Sequence, residues 1–160
     1  FHAATQARDL VAGDDDGSAE EVFIAALLAN LGEMAFWASN DPLTRNGRLQ
    51  DKDPVKRAAA AKELLGTSFD KITLGLARQW KLGQTLEESL NPKQKPSRQV
   101  QAVLLGKRIS KESIKGWDSP GMKKLLEETS HYTYLDPEES LARLKLQAES
   151  ALEIANQFGA

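Results

Sequence analysis

The chain has no cysteine, only two histidines and two methionines, and aromatic residues fill 6% of its 160 positions. Without cysteine there is no disulfide, no thiolate metal site and no cysteine nucleophile. The two histidines, His2 and His131, stand far apart, whereas metal hydrolases draw on clusters of imidazole and carboxylate donors. Both read as surface or packing residues. Serine and threonine are plentiful, but no histidine is placed to serve one of them, so a hydrolytic triad has no basis. Neither standard glycine-rich phosphate loop occurs. Long apolar runs are missing too. The most apolar stretch, residues 22–38, is interrupted by Asn30, Gly32 and Glu33 and is too short to span a bilayer comfortably. The first residues lack the basic start and continuous apolar segment of a signal peptide. The expectation is a cytoplasmic, soluble protein that makes no membrane contact.

What is present describes an ordinary globular domain: 41% hydrophobic and 28% charged residues, in a chain long enough to bury one core. The net charge of −2 hides an uneven distribution. Residues 1–53 hold four Lys/Arg against ten Asp/Glu, residues 54–117 thirteen against five, and residues 118–160 four against eight. The middle is basic and both ends are acidic.

The punctuation is helical almost throughout. Ser18-Ala19-Glu20-Glu21 has the form of a capping box and predicts one helix over about 18–39. Apolar residues lie nearly all round that helix, which suits the middle of a core. Asp53-Pro54 predicts a helix start with proline at the first position, where its missing N–H costs nothing. That helix should stop at Gly66. Ser68 should cap the next as far as about Lys81, and Thr85 a short one after it. Asn91-Pro92-Lys93-Gln94-Lys95-Pro96 is a linker, since two prolines forbid helix across it. Ser97 restarts a helix to about Ile109, and Ser119-Pro120 and Asp136-Pro137 start two more. The last should bury Leu141, Leu144, Ala148, Leu152 and Ala155 on one face and end at Gly159. No alternating β-branched run, internal repeat or low-complexity tract is found.

Two stretches carry a family resemblance. Leu27-Leu28-Ala29-Asn30-Leu31-Gly32-Glu33-Met34 resembles the signature of the HD superfamily of metal-dependent phosphohydrolases, roughly Leu-Leu-His-Asp-Ile-Gly-Lys, whose His and Asp bind a divalent metal. Ala29 and Asn30 occupy those two positions. Alanine has no donor atom, and a neutral amide is a poor substitute for a carboxylate at a hard cation. A frame of this kind without its ligands is similar to the HD-related output domain (HDOD), a bacterial signalling module. The stretch from Glu63 through Leu65-Gly66, Gly75 and Trp80 to Leu82 is similar to the HDOD pattern of a Leu-Gly pair followed by a helix with an internal small residue and a late tryptophan. A histidine-bearing segment commonly follows that tryptophan; here the chain reads Ser89-Leu90-Asn91-Pro92. Gly116-Trp117-Asp118-Ser119-Pro120 and the last helix look like the extension that some members carry.

The resemblance implies an all-α fold, a compact multi-helix HD-like bundle with a C-terminal helical extension. Residues 1–92 would be the C-terminal part of an HDOD-like helical core, and residues 93–160 a basic linker plus a helical extension packing on the same core. A chain that opens at Phe1 with the HD-like string so early fits the C-terminal part of a longer protein. Leu28, Trp37, Leu65 and Trp80 are expected in the core, with Gly75 permitting close helix approach and Trp80→Ala costing about 3–5 kcal/mol.

Candidate sites are few. Asp14-Asp15-Asp16-Gly17 has its glycine too early for a calcium loop and no glutamate at the twelfth position, so it reads as a solvated acidic turn. The one segment with a charge signature is 93–115, where Lys93, Lys95, Arg98, Lys107, Arg108, Lys111 and Lys115 face a single acid, Glu112. With Trp117 beside it, this segment is a candidate partner or anion surface. Its competing reading is a solvated face that docks on the chain's own acidic ends. The expected function is non-catalytic signal transduction through protein contact. It would need no metal and no cofactor, and would act with a partner protein or an attached sensory or receiver domain. Homo-oligomerisation stays open. Nucleotide or nucleic-acid binding through 93–115 is the first alternative, disfavoured by the acidic flanks, and a degenerate phosphohydrolase is the second.

Overall fold

Five helices begin with a side chain that accepts from the first-turn amides, as their sequences lead one to expect. The structure, a computed structural model, describes residues 1–14 and 17–159. Among the described residues it contains α1 (His2–Leu10), α2 (Ala19–Leu28), α3 (Leu31–Ala38), a 3-10 turn at Pro42–Arg45, α4 (Pro54–Leu65), α5 (Phe69–Trp80), α6 (Gln84–Leu90), α7 (Arg98–Ser113), α8 (Pro120–Thr133) and α9 (Pro137–Gln157), and no strand. Asp53, Ser68, Ser97, Ser119 and Asp136 cap α4, α5, α7, α8 and α9 at 2.9–3.3 Å. Gly66 ends α4 at φ 67°, a left-handed conformation that glycine adopts without strain. The fold is all-α. No single helix among the described residues is long and apolar enough to cross a membrane.

Several expectations fail, each for a local reason. The single helix over 18–39 is two, α2 and α3, bent by about 40°. The capping box does not form: Ser18 sits at helical dihedrals and makes no side-chain cap. Glu21 instead accepts a 2.7 Å hydrogen bond from Thr85 Oγ1, which ties α2 to α6. Thr85 is therefore a buried residue inside α6, and Gly83 at φ 107° is the N-cap. Trp80 is 56% exposed, not a core plug, because α5 spends its packing on Thr73 and Ala77 and ends as Lys81 turns left-handed. Leu28, Trp37 and Leu65 do reach the apolar clusters, though only partly buried. On α9 the buried positions are Ser140, Leu144 and Ala151, while Leu152 is 63% exposed. The stripe is rotated because the helix packs against both α1 and α8. Asp15 and Asp16 of the acidic turn lie outside the described residues.

Helix α1 was not signalled by any cap, yet it is central. It packs on α2, α7 and α9 and buries Ala4, Thr5, Gln6, Ala7 and Leu10. Gln6 Nε2 donates to the Leu144 carbonyl of α9 at 2.7 Å, so this polar atom is satisfied inside the core. Close approach occurs at Gly106 of α7, where an added Cβ would stand 2.6 Å from the Ala3 carbonyl oxygen and 2.9 Å from Ala7 Cβ. Gly75, by contrast, faces open space.

Two apolar clusters result. The larger joins α1, α2 and α6 with Val103 and Ile109 of α7, Met122 and Leu125 of α8, and Leu144 of α9. The smaller collects Leu49, Ala60 and Ala61 under Phe36, Trp37, Leu65 and Phe69. In it Phe36 meets Trp37 edge-on at 4.9 Å between ring centres.

These placements set the stability predictions. Gly106→Ala should destabilise by about 1–3 kcal/mol or more through overpacking, whereas Gly75→Ala should gain about 0.5–1 kcal/mol from helix propensity. Trp80→Ala should move stability by less than about 1 kcal/mol, in contrast with about 2–5 kcal/mol for Ile109→Ala. Urea denaturation midpoints of the four variants check the set.

Candidate functional site

The bend between α2 and α3 falls on Ala29 and Asn30. Ala29 is 1% exposed, so its methyl group packs inside, while Asn30 is exposed at the cap of α3. The helix ladder is interrupted because Gly32 presses on α5. Its N–H donates to Thr73 Oγ1 at 3.0 Å, and that hydroxyl donates in turn to the Phe69 carbonyl at 3.0 Å. A Cβ at Gly32 would lie 2.6 Å from Thr73 N. Glu33, one residue on, accepts from Trp37 Nε1 at 3.4 Å and stands 3.9 Å from Arg57 Nε. A 180 Å³ cleft runs past Glu33, Arg57, Ser68 and Asp70. Among the described residues no three His, Cys, Asp or Glu side chains converge as a metal cage would need. The two positions that would supply a metal here offer a buried methyl and an exposed amide. The residues present do not fit a metal ion.

The basic segment is dispersed by the fold. Lys93 pairs with Glu88 at 2.9 Å and Lys115 with Glu112 at 2.9 Å. Lys95 is exposed in the linker, and Lys107 lies half-buried on α7. Arg98 is engaged internally on four sides. Its Nε donates to both oxygens of Asp14 at 3.1 and 2.8 Å, and its Nη1 to the Tyr132 carbonyl at 3.0 Å. The guanidinium also lies 4.2 Å over the Tyr132 ring, whose hydroxyl donates back to the Arg98 carbonyl at 2.9 Å. Asp14 holds the Arg98 guanidinium above its ordinary range. A second link of the same kind joins Arg143 of α9 to Asp9 at 2.9 Å. Trp117 packs against the larger core. His2 reaches Gln6 Nε2 at 2.9 Å, a packing role.

Arg108 and Lys111 remain together on the outer face of α7, in line with Gln101 and Leu104 by helical spacing. Across from them, Glu128 of α8 takes a two-pronged contact from Arg108, one bond measuring 2.8 Å. A groove of about 420 Å³ opens here, with Leu104 and Leu105 on its floor and Gln101, Arg108, Glu128 and His131 around it. Arg108 holds the Glu128 carboxyl below the usual carboxylate range, with Lys124 adding to the effect. The groove combines residues from two helices, so of its lining only Arg108 stood out in the sequence as part of the charged segment. The repeat of Lys124, Glu128 and His131 along α8 was the available signal for its other wall.

A model of the HDOD domain matches residues 1–96. The chain belongs to the HDOD family. Neither a curated protein nor a solved structure shows a significant match to it. The HDOD match covers α1 to α6 and ends just before α7, and it fits an HD-superfamily module of the signalling type. Within this HDOD chain the core that α1 needs is completed by α7, beyond the matched residues.

Two measurements probe these contacts. Arg98→Met should cost about 1–2 kcal/mol, a value discounted because the guanidinium is more than a third exposed. A double-mutant cycle with Asp14→Asn should show coupling rather than additivity. For pH, the Glu88, Glu112 and Glu128 carboxyls are held low by Lys93, Lys115 and Arg108 respectively. Their folded values lie below the unfolded value of 4.5, so their contribution is fully present above that pH and is lost as pH falls through the depressed values. Acid unfolding of Arg108→Met should therefore have a shallower pH slope below 4.5 than the parent.

Proposed function

We propose that this HDOD protein is a non-catalytic regulatory module that acts by docking a protein partner. The observation that carries this reading is the buried, donor-free Ala29 at the bend, with Asn30 turned to solvent. In an HD hydrolase these two positions hold the metal. Here the first serves the core. Gly32 locks the following turn onto α5 through Thr73, so the region is built to be rigid rather than to open for a substrate. A phosphohydrolase reading would require donors from elsewhere in the fold, and Glu33 is already engaged by Trp37 and Arg57. A nucleic-acid reading would require the cations of 93–115 to act together, and four of the seven are held by Glu88, Asp14, Glu128 and Glu112.

The test combines elemental analysis of protein purified without added metal with a panel of phosphodiester and phosphomonoester substrates. The expected result is Mn, Fe, Zn and Mg all well below one per chain, with no turnover above the blank. One tightly held transition metal per chain, with turnover lost on chelation, would overturn the reading.

A further inference from the structure

Resting on that regulatory reading, we propose that the groove between α7 and α8 is the docking site for an acidic amphipathic helix of a partner protein. Its floor is aliphatic, formed by Leu104 and Leu105, and its volume of about 420 Å³ has room for apolar side chains of an incoming segment. Two exposed lysines flank the groove, Lys111 one helical turn beyond Arg108 on α7 and Lys124 one turn before Glu128 on α8. Glu128 is the one acid lining it, and its carboxylate is neutralised by the two-pronged contact from Arg108. An incoming helix whose apolar stripe covers Leu104 would bring carboxylates on either side against Lys111 and Lys124. That complementarity sets orientation and encounter rate as well as affinity.

The same features disfavour nucleic acid. Single-stranded binding surfaces stack bases on open aromatic faces. Here the Tyr132 ring is buried under Arg98 and Trp117 is packed on the core.

The experiment uses the full chain and fluorescence anisotropy. The probe is a fluorescein-labelled synthetic helix of about four turns, with leucine at i, i+3 and i+7 and glutamate on the flanks. A matched peptide with lysine for glutamate and a labelled oligo-dT are titrated in parallel. The acidic helix should bind in the micromolar range, at least about tenfold more tightly than either comparator. Leu104→Asp should weaken it by about tenfold or more, and so should the exposed double variant Lys111→Glu with Lys124→Glu. Lys62→Glu on the distant α4 should leave it unchanged. Because both reversed lysines are exposed, loss of binding with an unchanged circular dichroism spectrum cannot be blamed on unfolding.

Equal binding of acidic and basic helices would overturn the proposal, as would affinity indifferent to the lysine reversal, or absence of binding. Tighter binding of oligo-dT would hand the groove to nucleic acid. A dimer in sedimentation that the lysine reversal dissociates would hand it to a second copy of the chain. If the groove fails while the protein stays free of metal and turnover, the regulatory reading stands, so the two can fall separately.

Discussion

At Gly106 the backbones of α7 and α1 approach until a methyl group would collide with the Ala3 carbonyl and with Ala7. Both helices bury small residues at this contact, Ala4 and Ala7 on α1 and Ala102 and Gly106 on α7. The rest of the structure is arranged around it. Once α1 and α7 are fixed, α2 and α6 close one side, and α8 and α9 close the other. Close packing of this kind tolerates little change in volume, since interiors are near crystal density and overpacking forces backbone shifts. The family match ends at residue 96, yet the helix that α1 lies against starts at Arg98. The matched portion and the helices after it are thus joined by one apolar core.

The same logic of close approach governs the degenerate HD position. Ala29 contributes a methyl group to the interior, and Gly32 lets α3 settle on α5 with a hydrogen bond to Thr73. A side chain long enough to reach a metal at position 29 would have to displace core atoms. The absence of donors and the tight packing of the bend are therefore one structural fact, the one on which the proposed regulatory reading rests. Two arginine–aspartate links, Arg98 to Asp14 and Arg143 to Asp9, then pin α7 and α9 to the N-terminal segment. The α7–α8 groove is consequently carried on a rigid frame tied to the family-matched half.

Much of the fold was legible in the sequence because caps are local. Asp53, Ser68, Ser97, Ser119 and Asp136 each act within three residues, and all five helix starts fall where those residues place them. What was not legible depends on partners distant in the chain. The α2–α3 bend needs Thr73, the failed box at Ser18 leaves Glu21 to Thr85, and Trp80 is exposed because α5 packs through Thr73 and Ala77 and ends at Lys81. Helix α1 escaped notice because its N-cap, Phe1, makes no capping bond. Of the charged segment, spacing alone could not tell that Arg98 is engaged by Asp14 and Tyr132 while Arg108 pairs with Glu128 at a groove.

Native-state amide hydrogen exchange under low urea tests most directly whether one core unites the two parts. If the account is right, the slowest amides of α1 and α7 will open together, with the same free energy and the same urea dependence as global unfolding. Amides of α7, α8 and α9 that exchange through a separate, lower-energy opening while α1 to α6 stay protected would contradict it.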